Sequence, residues 1–335
     1  MTRLIRPILS ADRARPADAL TLAEGWCWFT HVEVLDQGIQ PASELTDTER
    51  ARLTAPRAPI AGLAWDAPRV MAILNVTPDS FSDGGLYASQ NDASEHAREL
   101  QHAGADLIDI GGESTRPGAD AVPSEQEIAR TGPVIADLAP QLSRPISIDT
   151  RKADVAEYAL QTGAALINDV SAGTHDPAML STAARLDAPI CLMHAQGDPK
   201  TMQATPKYRD VVAEVYAHLE ERIAACAAAG IPRARIVIDP GIGFGKTLAH
   251  NLELLSKIAV FHSLGCVVLV GASRKRFIGT ISGTADAAER LPGSLAVALA
   301  AAEQGIQILR VHDMAETRQA FHLAQAMREG QYDAT

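Results

Sequence analysis

Three acidic or amide side chains stand where short apolar runs end, and their chemistry suits a nitrogen-rich ring. Asp149, Asn168 and Asp239 each follow such a run. A carboxylate accepts hydrogen bonds from ring N–H and amino groups, whereas an amide both donates and accepts. We therefore expect this set to hold a flat heterocycle that is rich in nitrogen.

A second set of residues is cationic. Arg310 and His312 lie two positions apart at the end of another apolar run, so in a strand they point the same way. Arg274 and Lys275 precede a predicted helix. Such donors suit phosphate oxygens, and arginine adds bidentate geometry. The alternative interpretation is a group of solvated surface charges.

Asn75 ends the first of these runs and offers a neutral oxygen ligand. Such an oxygen can hold a hydrated Mg²⁺ that bridges a diphosphate. Together with the acidic and cationic sets, this residue predicts a ligand in which a heterocycle bears a diphosphate.

The elements that must position these residues are short strands alternating with longer helical stretches. Continuous hydrophobicity is typical of parallel strands that are covered on both faces. The eight runs are Val70–Leu74, Ala105–Ile110, Pro145–Ile148, Ala165–Ile167, Pro189–Met193, Ile236–Ile238, Val267–Val270 and Ile306–Val311. Eight such runs predict a (β/α)8 TIM barrel, whose carboxyl strand ends open onto one face. A doubly wound open sheet is the competing layout, but no glycine-rich dinucleotide turn follows the first run.

The opening of the chain has a different character. We assign residues 1–65 to an N-terminal extension and residues 66–335 to the barrel. Trp26, Trp28 and Trp65 all fall in the extension, and large aromatic side chains are costly to leave in water. The extension is therefore expected to pack as an ordered flap, and its sequence suggests no chemistry.

Two long loops rich in Gly, Ser and Pro follow the first two runs. Thr77–Gly85 and Gly111–Gly118 are expected to close over the barrel mouth, unless they are plain exposed connections. The segment Gly243–Thr247 resembles a phosphate-binding loop, but Pro240 stands where that motif requires glycine. His194 is either a structural residue of the rim or a ligand.

Composition excludes several classes of protein. The formal net charge is −11, which argues against a nucleic-acid or acidic-membrane surface. No apolar run approaches the length of a membrane span, and the N-terminus shows no secretory signal. The four cysteines are far apart, without the spacing of a metal or redox site. Reduced thiols in a cytoplasmic protein are expected.

These residues carry a resemblance to the dihydropteroate synthases, the folate-pathway enzymes that sulfonamides target. The resemblance covers essentially all of the chain after Arg69, in family order. The similar blocks are 73–85, 111–118, 147–150, 167–169, 239–245, 273–275 and 310–313.

The resemblance implies a transferase that joins 4-aminobenzoate to 6-hydroxymethyl-7,8-dihydropterin diphosphate and releases diphosphate. It implies that C–O cleavage precedes attack by the amine. It also implies that Asn75 binds Mg²⁺, and that Phe244, Lys275 and the two loops complete the aminobenzoate pocket. The implied pterin ligands are Asp149, Asn168, Asp239 and Lys275, and the implied contacts on the diphosphate side are Thr115, Arg310 and His312. Asp149, Lys275, Arg310 and His312 are the expected catalytic residues.

The sequence departs from the family pattern at Arg276, where many relatives have a serine that helps to bind the aminobenzoate carboxylate. A backbone N–H or Arg276 itself would have to replace that serine. Sulfonamide sensitivity is expected, since none of the matching loop blocks carries an extra residue. Relatives are commonly homodimers through the late barrel helices, and the Ala-rich segment Leu295–Ala302 suits such an interface or simple packing on the barrel.

Two other functions are compatible with the ring-binding set. A pterin-binding methyltransfer domain shares the barrel and the Asp/Asn set, but it would leave Ser273–Lys275 and the Arg310/His312 pair without a role. A catalytically silent paralogue would bind pterin without turnover, and Asn75 and Thr115 argue against it.

Overall fold

The N-terminal residues, which precede the barrel in the chain, form a small β-rich layer. The structure is a computed structural model that describes residues 3–76, 90–114, 121–197 and 201–331. Antiparallel pairing gives one sheet in the order β1-β4-β5 and a second of β2 and β3. The elements are β1 (Ile5–Pro7), β2 (Leu20–Thr21), β3 (Trp28–Phe29), β4 (His31–Val34), β5 (Gly38–Pro41) and α1 (Asp47–Thr54). Phe29, Val32 and Leu53 are fully buried in the core of this layer.

Eight strands then close into a barrel in chain order, with the last strand pairing with the first. All eight pairings are parallel. The strands are β6 (Arg69–Asn75), β7 (Leu107–Gly111), β8 (Ile146–Asp149), β9 (Leu166–Asp169), β10 (Ile190–Met193), β11 (Ile236–Asp239), β12 (Val267–Val270) and β13 (Ile308–Val311). Each lies on one of the predicted apolar runs, so the predicted (β/α)8 barrel is confirmed.

Helices surround the barrel and connect its strands. They are α2 (Gln90–His102), α3 (Ser124–Leu138), α4 (Ala153–Thr162), α5 (Met179–Arg185), α6 (Val211–Ala228), α7 (Leu248–Ser256), α8 (Arg276–Ser282), α9 (Leu291–Glu303) and α10 (Met314–Glu329), with a 3₁₀ segment at Ile258–Leu264. No helix in the described ranges has the length and apolarity that a bilayer crossing needs. All four cysteines are buried and unpaired.

The strands separate two apolar cores by alternating their side chains. Residues such as Val70, Ile108 and Ile167 pack outward against the helices. Their neighbours Leu107 and Leu166 belong to a second cluster, which fills the lower barrel. Because side chains in a strand alternate with a period of two, residues two positions beyond the inner cluster also point into the barrel.

The end of the extension closes the base of the barrel. Ile60, Leu63 and Trp65 pack against the inner cluster beneath the strands. Trp26 Nε1 donates to the carbonyl of Ala302 at 3.0 Å, next to the end of α9. The extension therefore lies at the end of the barrel opposite the carboxyl strand ends.

We expect Asp106→Ala to destabilise the barrel by about 3 kcal/mol, because it leaves a partly buried guanidinium and a buried backbone N–H without their acceptor. Asp106 Oδ2 accepts from the backbone N–H of Val70 at 2.8 Å and from Arg318 of α10 at 2.5 Å. Urea unfolding measures the loss. Asp137→Ala, which removes an exposed carboxylate bound to Arg98, is the control and should cost under about 1 kcal/mol. Equal losses in the two variants would contradict the role of Asp106.

Candidate active site

Four polar residues at the carboxyl ends of the strands share the orientation of the inner barrel cluster. Asp109, Asn168, Asp239 and Arg310 each stand two residues after a member of that cluster. A single row of strand pairings also aligns Asn75 with Gly111, Gly111 with Asp149, and Asp149 with Asn168. Strand register therefore brings groups from distant parts of the sequence to one mouth.

Arg310 lies at the centre of this mouth. Its Nε donates to Asp109 Oδ2 at 2.6 Å, and its Nη2 donates to Asp149 Oδ2 at 2.8 Å. Asn168 Nδ2 donates to the same Asp109 oxygen at 2.9 Å. One guanidinium thus holds two carboxylates, and the first carboxylate orients the amide.

Both carboxylates keep an unused acceptor. Among the described residues, Asp109 Oδ1 and Asp149 Oδ1 are buried without a hydrogen-bond partner. Burial raises the pKa of Asp149 to about 7, with Arg310 acting against the rise and Asp109 adding to it. Burial lowers the pKa of Arg310, but Asp109 and Asp149 outweigh it and hold that pKa above its ordinary value. The pair therefore keeps a charged guanidinium beside a carboxylate that changes charge near neutrality.

Asp239 and Lys275 form the adjoining wall. Burial raises the pKa of Asp239, and the positive charge of Lys275 opposes this rise. Burial lowers the pKa of Lys275 to about 8, and the negative charge of Asp239 opposes this fall. Lys275 Nζ donates to the carbonyl of Ile242 and lies 4.5 Å from the ring centroid of Phe244. Phe244 is only half-buried, so its ring is available to a ligand.

Two glycines are required in the turn that carries Phe244. Gly241 has φ +69°, and a Cβ there would lie 1.9 Å from the carbonyl oxygen of His194. Gly243 has φ +84°, and a Cβ there would lie 2.9 Å from Lys275 Cδ. Only glycine adopts these angles while allowing so close an approach. These two glycines thus let the turn pack against His194, just after β10, and against Lys275.

A buried lysine, Lys246, stabilises the same turn. Lys246 Nζ contacts His194 Nδ1 at 2.9 Å and donates to the carbonyls of Phe244 at 3.0 Å and His194 at 3.3 Å. Burial is the main cause that lowers the pKa of His194 to about 2, and the charge of Lys246 is the second. The His194 ring is therefore neutral and accepts a hydrogen bond. Burial also lowers the pKa of Lys246 to about 7. The structure therefore gives His194 a structural role at the rim.

The cationic residues do not all face the mouth together. Arg310 pairs with acids of the ring-binding set, as described above. Arg274, at φ +59°, forms two hydrogen bonds with the carboxylate of Asp313, one of them 3.0 Å long. His312 Nδ1 lies 3.1 Å from Ser273 Oγ. Arg274 thus forms a salt bridge across the rim, and its role as a phosphate donor stays a prediction. Arg276 is exposed at the start of α8.

A buried ionic cluster fixes the start of the second loop. Glu113 accepts from Arg151 at 3.0 Å and from Lys152 at 2.7 Å, and Lys152 also contacts Glu127 at 2.5 Å. Burial alone would raise the pKa of Glu113, but these cationic partners lower it. Thr115 and the rest of that loop to residue 118 lie outside the described residues, as does the loop Thr77–Gly85.

Sequence reasoning left two important residues out of the site. Asp109 had a usable signal, because it is a charge inside an otherwise apolar strand of five residues. Lys246 had none, since a lysine after a glycine-rich turn is ordinarily solvated. Within the described ranges, no three His, Cys, Asp or Glu side chains are grouped as a metal site.

Comparison with known proteins places this geometry in a family. The sequence model of the family described as "Pterin binding enzyme" matches residues 71–312. The dihydropteroate synthase of Escherichia coli strain K12 is 49% identical over 259 residues, which are 77% of this chain and 91% of the relative.

Solved structures agree with the sequence comparison. The Yersinia pestis dihydropteroate synthase, in a sulfonamide drug complex, superposes with a TM-score of 0.77 at 45% identity, covering 80% of this chain and 96% of that one. The Xanthomonas albilineans dihydropteroate synthase with 4-aminobenzoic acid gives 0.76 at 48% identity, covering 82% and 98%. On these grounds, and with the predicted residues gathered at one barrel mouth, the chain belongs to the dihydropteroate synthase family.

Proposed function

We propose that this barrel condenses 6-hydroxymethyl-7,8-dihydropterin diphosphate with 4-aminobenzoate to give 7,8-dihydropteroate and diphosphate. The observation that carries the proposal is the Arg310 network, which holds Asp109, Asp149 and Asn168 together at the barrel mouth. Family membership supports the same reaction. The Xanthomonas relative with 4-aminobenzoic acid supports the choice of the second substrate.

The pterin ring lies against the acidic and amide groups in this proposal. The free Oδ1 atoms of Asp109 and Asp149 accept ring N–H or amino protons. Asp239 supplies a third acceptor from β11. Asn168 donates its N–H to Asp109, which leaves its amide oxygen directed to other donors. The site therefore offers several acceptors to a ring that carries several donors.

Bond cleavage requires charge stabilisation on both sides of the breaking bond. The C–O bond between the pterin methylene and the diphosphate breaks, and its electron pair leaves with the diphosphate. Ionised Asp149 stabilises the positive charge that develops on the pterin, while Arg310 and His312 stabilise the departing anion. The amine of 4-aminobenzoate then forms the C–N bond and loses a proton. No side-chain nucleophile takes part.

The aminobenzoate ring is proposed to bind beside Phe244 and Lys275. Lys275 Nζ already lies against the Phe244 ring, so the lysine is held in place before the substrate arrives. The same ammonium group is close enough to Asp239 to influence its charge. Lys275 therefore joins the pterin wall to the aminobenzoate pocket.

We assign a magnesium position to the gap beside Asn75. A Cβ built on Gly111 would lie 3.7 Å from Asn75 Oδ1 and 3.6 Å from Asp149 Oδ2, so the absence of a side chain at Gly111 leaves the Asn75 oxygen uncovered on this side. Mg²⁺ is commonly held by one or two protein oxygens together with substrate phosphates and water. When bound, the ion would neutralise charge on the diphosphate. Asn75 would hold it directly.

Assembly as a homodimer stays a prediction. Leu323 and Met327 on α10 are exposed by 62% and 74%, four residues apart on one helix face. A second copy that covered the late helices would bury this pair.

The direct test is to incubate the purified protein with the pterin diphosphate, 4-aminobenzoate and Mg²⁺. Release of diphosphate with equal formation of dihydropteroate supports the proposal. Tight binding of pterin without product would instead identify a silent relative.

Replacing Asp149 by Asn should lower kcat much more than it weakens pterin binding, since it removes charge but little volume. In the parent enzyme, kcat/KM should fall as the pH drops below about 7, because protonation neutralises Asp149. This acidic limb should be absent from the variant. A limb that persists unchanged in Asp149→Asn would assign it to another group, such as the substrate diphosphate.

Asn75→Ala should raise the Mg²⁺ concentration needed for half-maximal turnover by at least about tenfold, since it removes a direct ligand. Chelation of the metal should abolish diphosphate release in the parent enzyme. Pterin binding without the diphosphate should be unaffected, which provides the control. An unchanged metal requirement in Asn75→Ala would refute this ligand assignment.

Lys246→Met should raise KM for 4-aminobenzoate by roughly tenfold, because the turn that carries Phe244 loses its brace. KM for the pterin diphosphate should change less, since Lys246 acts on Asp239 through charge alone and forms no hydrogen bond with Asp109, Asp149 or Asn168. Lys207→Met, on a neighbouring exposed segment, is the matched control. Equal losses for both substrates would indicate general misfolding of the site.

A further inference from the structure

A cleft lies at the base of the barrel, at the end opposite the active site. It has a volume of about 600 Å³ and lies between α1 with the segment that follows it and the starts of β11 and β12. Its wall is largely apolar and includes Ala51, Pro56, Ile236 and Val267. Cavities of this size commonly hold small organic ligands.

Three arginines surround this apolar space. Arg52 and Arg57 belong to the extension, and Arg233 belongs to the barrel. The arginines from the two parts meet at Gly265, where a Cβ would lie 3.7 Å from Arg52 Cγ and 3.4 Å from Arg233 Cδ. The cleft therefore depends on the contact between the extension and the barrel.

The positive charge of this cluster is poorly balanced. Arg57 donates to the carbonyls of Ala55, Cys266 and His262 at 2.9, 3.3 and 3.3 Å, and also to the carbonyl of Arg52. Arg233 donates to the carbonyl of Leu264. Within the described part of the chain, neither guanidinium forms an ion pair with a carboxylate.

Acidic groups supply only part of the balancing charge. Arg52 forms a partly exposed salt bridge with Glu220 of α6 at 3.9 Å, and Asp47 lies exposed at the rim. Burial lowers the pKa of His262 to about 4 and raises the pKa of Cys266 to about 11, so both are neutral at pH 7. Carbonyl dipoles solvate the arginines without neutralising them.

We propose that this cleft binds a small amphipathic organic anion, with a carboxylate or sulfonate headgroup between the arginines and an apolar body against the alanine, proline and aliphatic wall. Guanidinium groups bind such headgroups through charge-assisted, often bidentate hydrogen bonds. Like charges gathered in an apolar recess repel one another, and an anion relieves that repulsion. Binding would also strengthen the contact between extension and barrel, because both contribute arginines.

The test uses 8-anilinonaphthalene-1-sulfonate as a fluorescent probe on the full chain. We expect saturable binding, and a dissociation constant at least about tenfold weaker in the double variant Arg52→Gln/Arg233→Gln. Hydrogen exchange should show protection by the probe at Asp47–Thr54 and at residues 264–267. Arg185→Gln, which removes an exposed arginine elsewhere, should leave the affinity unchanged.

Two further controls separate this cleft from the barrel mouth and from general stickiness. Lys275→Ala should bind the probe as the parent does, and the uncharged analogue N-phenyl-1-naphthylamine should not distinguish the parent from the double variant. Circular dichroism establishes that the double variant is folded. The proposal fails if binding does not saturate, if the double variant binds as tightly as the parent, or if the protection or the Lys275→Ala effect places the probe at the mouth.

Discussion

The charge pairing of Arg310 with Asp109 and Asp149 is the constraint on which the site depends. Two carboxylates so close together and so deeply buried would repel each other without the guanidinium between them. The guanidinium donates to one oxygen of each acid and so fixes which oxygens remain free. Without it, the pKa of Asp149 would rise further, and the mouth would lose charge that the reaction needs.

The arrangement of these charged groups depends on the register of the barrel strands more than on any single loop. Asp109, Asp149, Asn168 and Arg310 come from four different strands, and each strand is held on both edges by its neighbours. The apolar cluster beneath them fixes the strand spacing. Groups that must keep a given separation during bond cleavage are therefore held by strands that are paired on both edges, whereas Phe244 and Lys275 come from connecting segments.

Much of this could be predicted from the sequence, for physical reasons. Continuous apolar runs identify buried parallel strands, and Asp149, Asn168 and Asp239 lie at the carboxyl ends of such strands, as the runs predict. The sequence did not reveal which charged side chains pair with one another. The partner of Arg310 depends on strand register and tilt, and Arg274 turns to Asp313 because its backbone adopts a left-handed conformation. The buried role of Lys246 depends on a turn whose path is set by His194. The loop residue Thr115 stays a prediction.

The closed base of the barrel bears on how the protein can be immobilised. Ile60, Leu63 and Trp65 close the lower opening of the barrel, so in the part of the chain that the structure describes the polar groups of the site are approached from the upper end. The first described residues belong to the extension, where Ile5 packs in its core and Arg3 pairs with Glu49 of α1. A solid support attached before residue 3 would therefore leave the barrel mouth exposed to solvent.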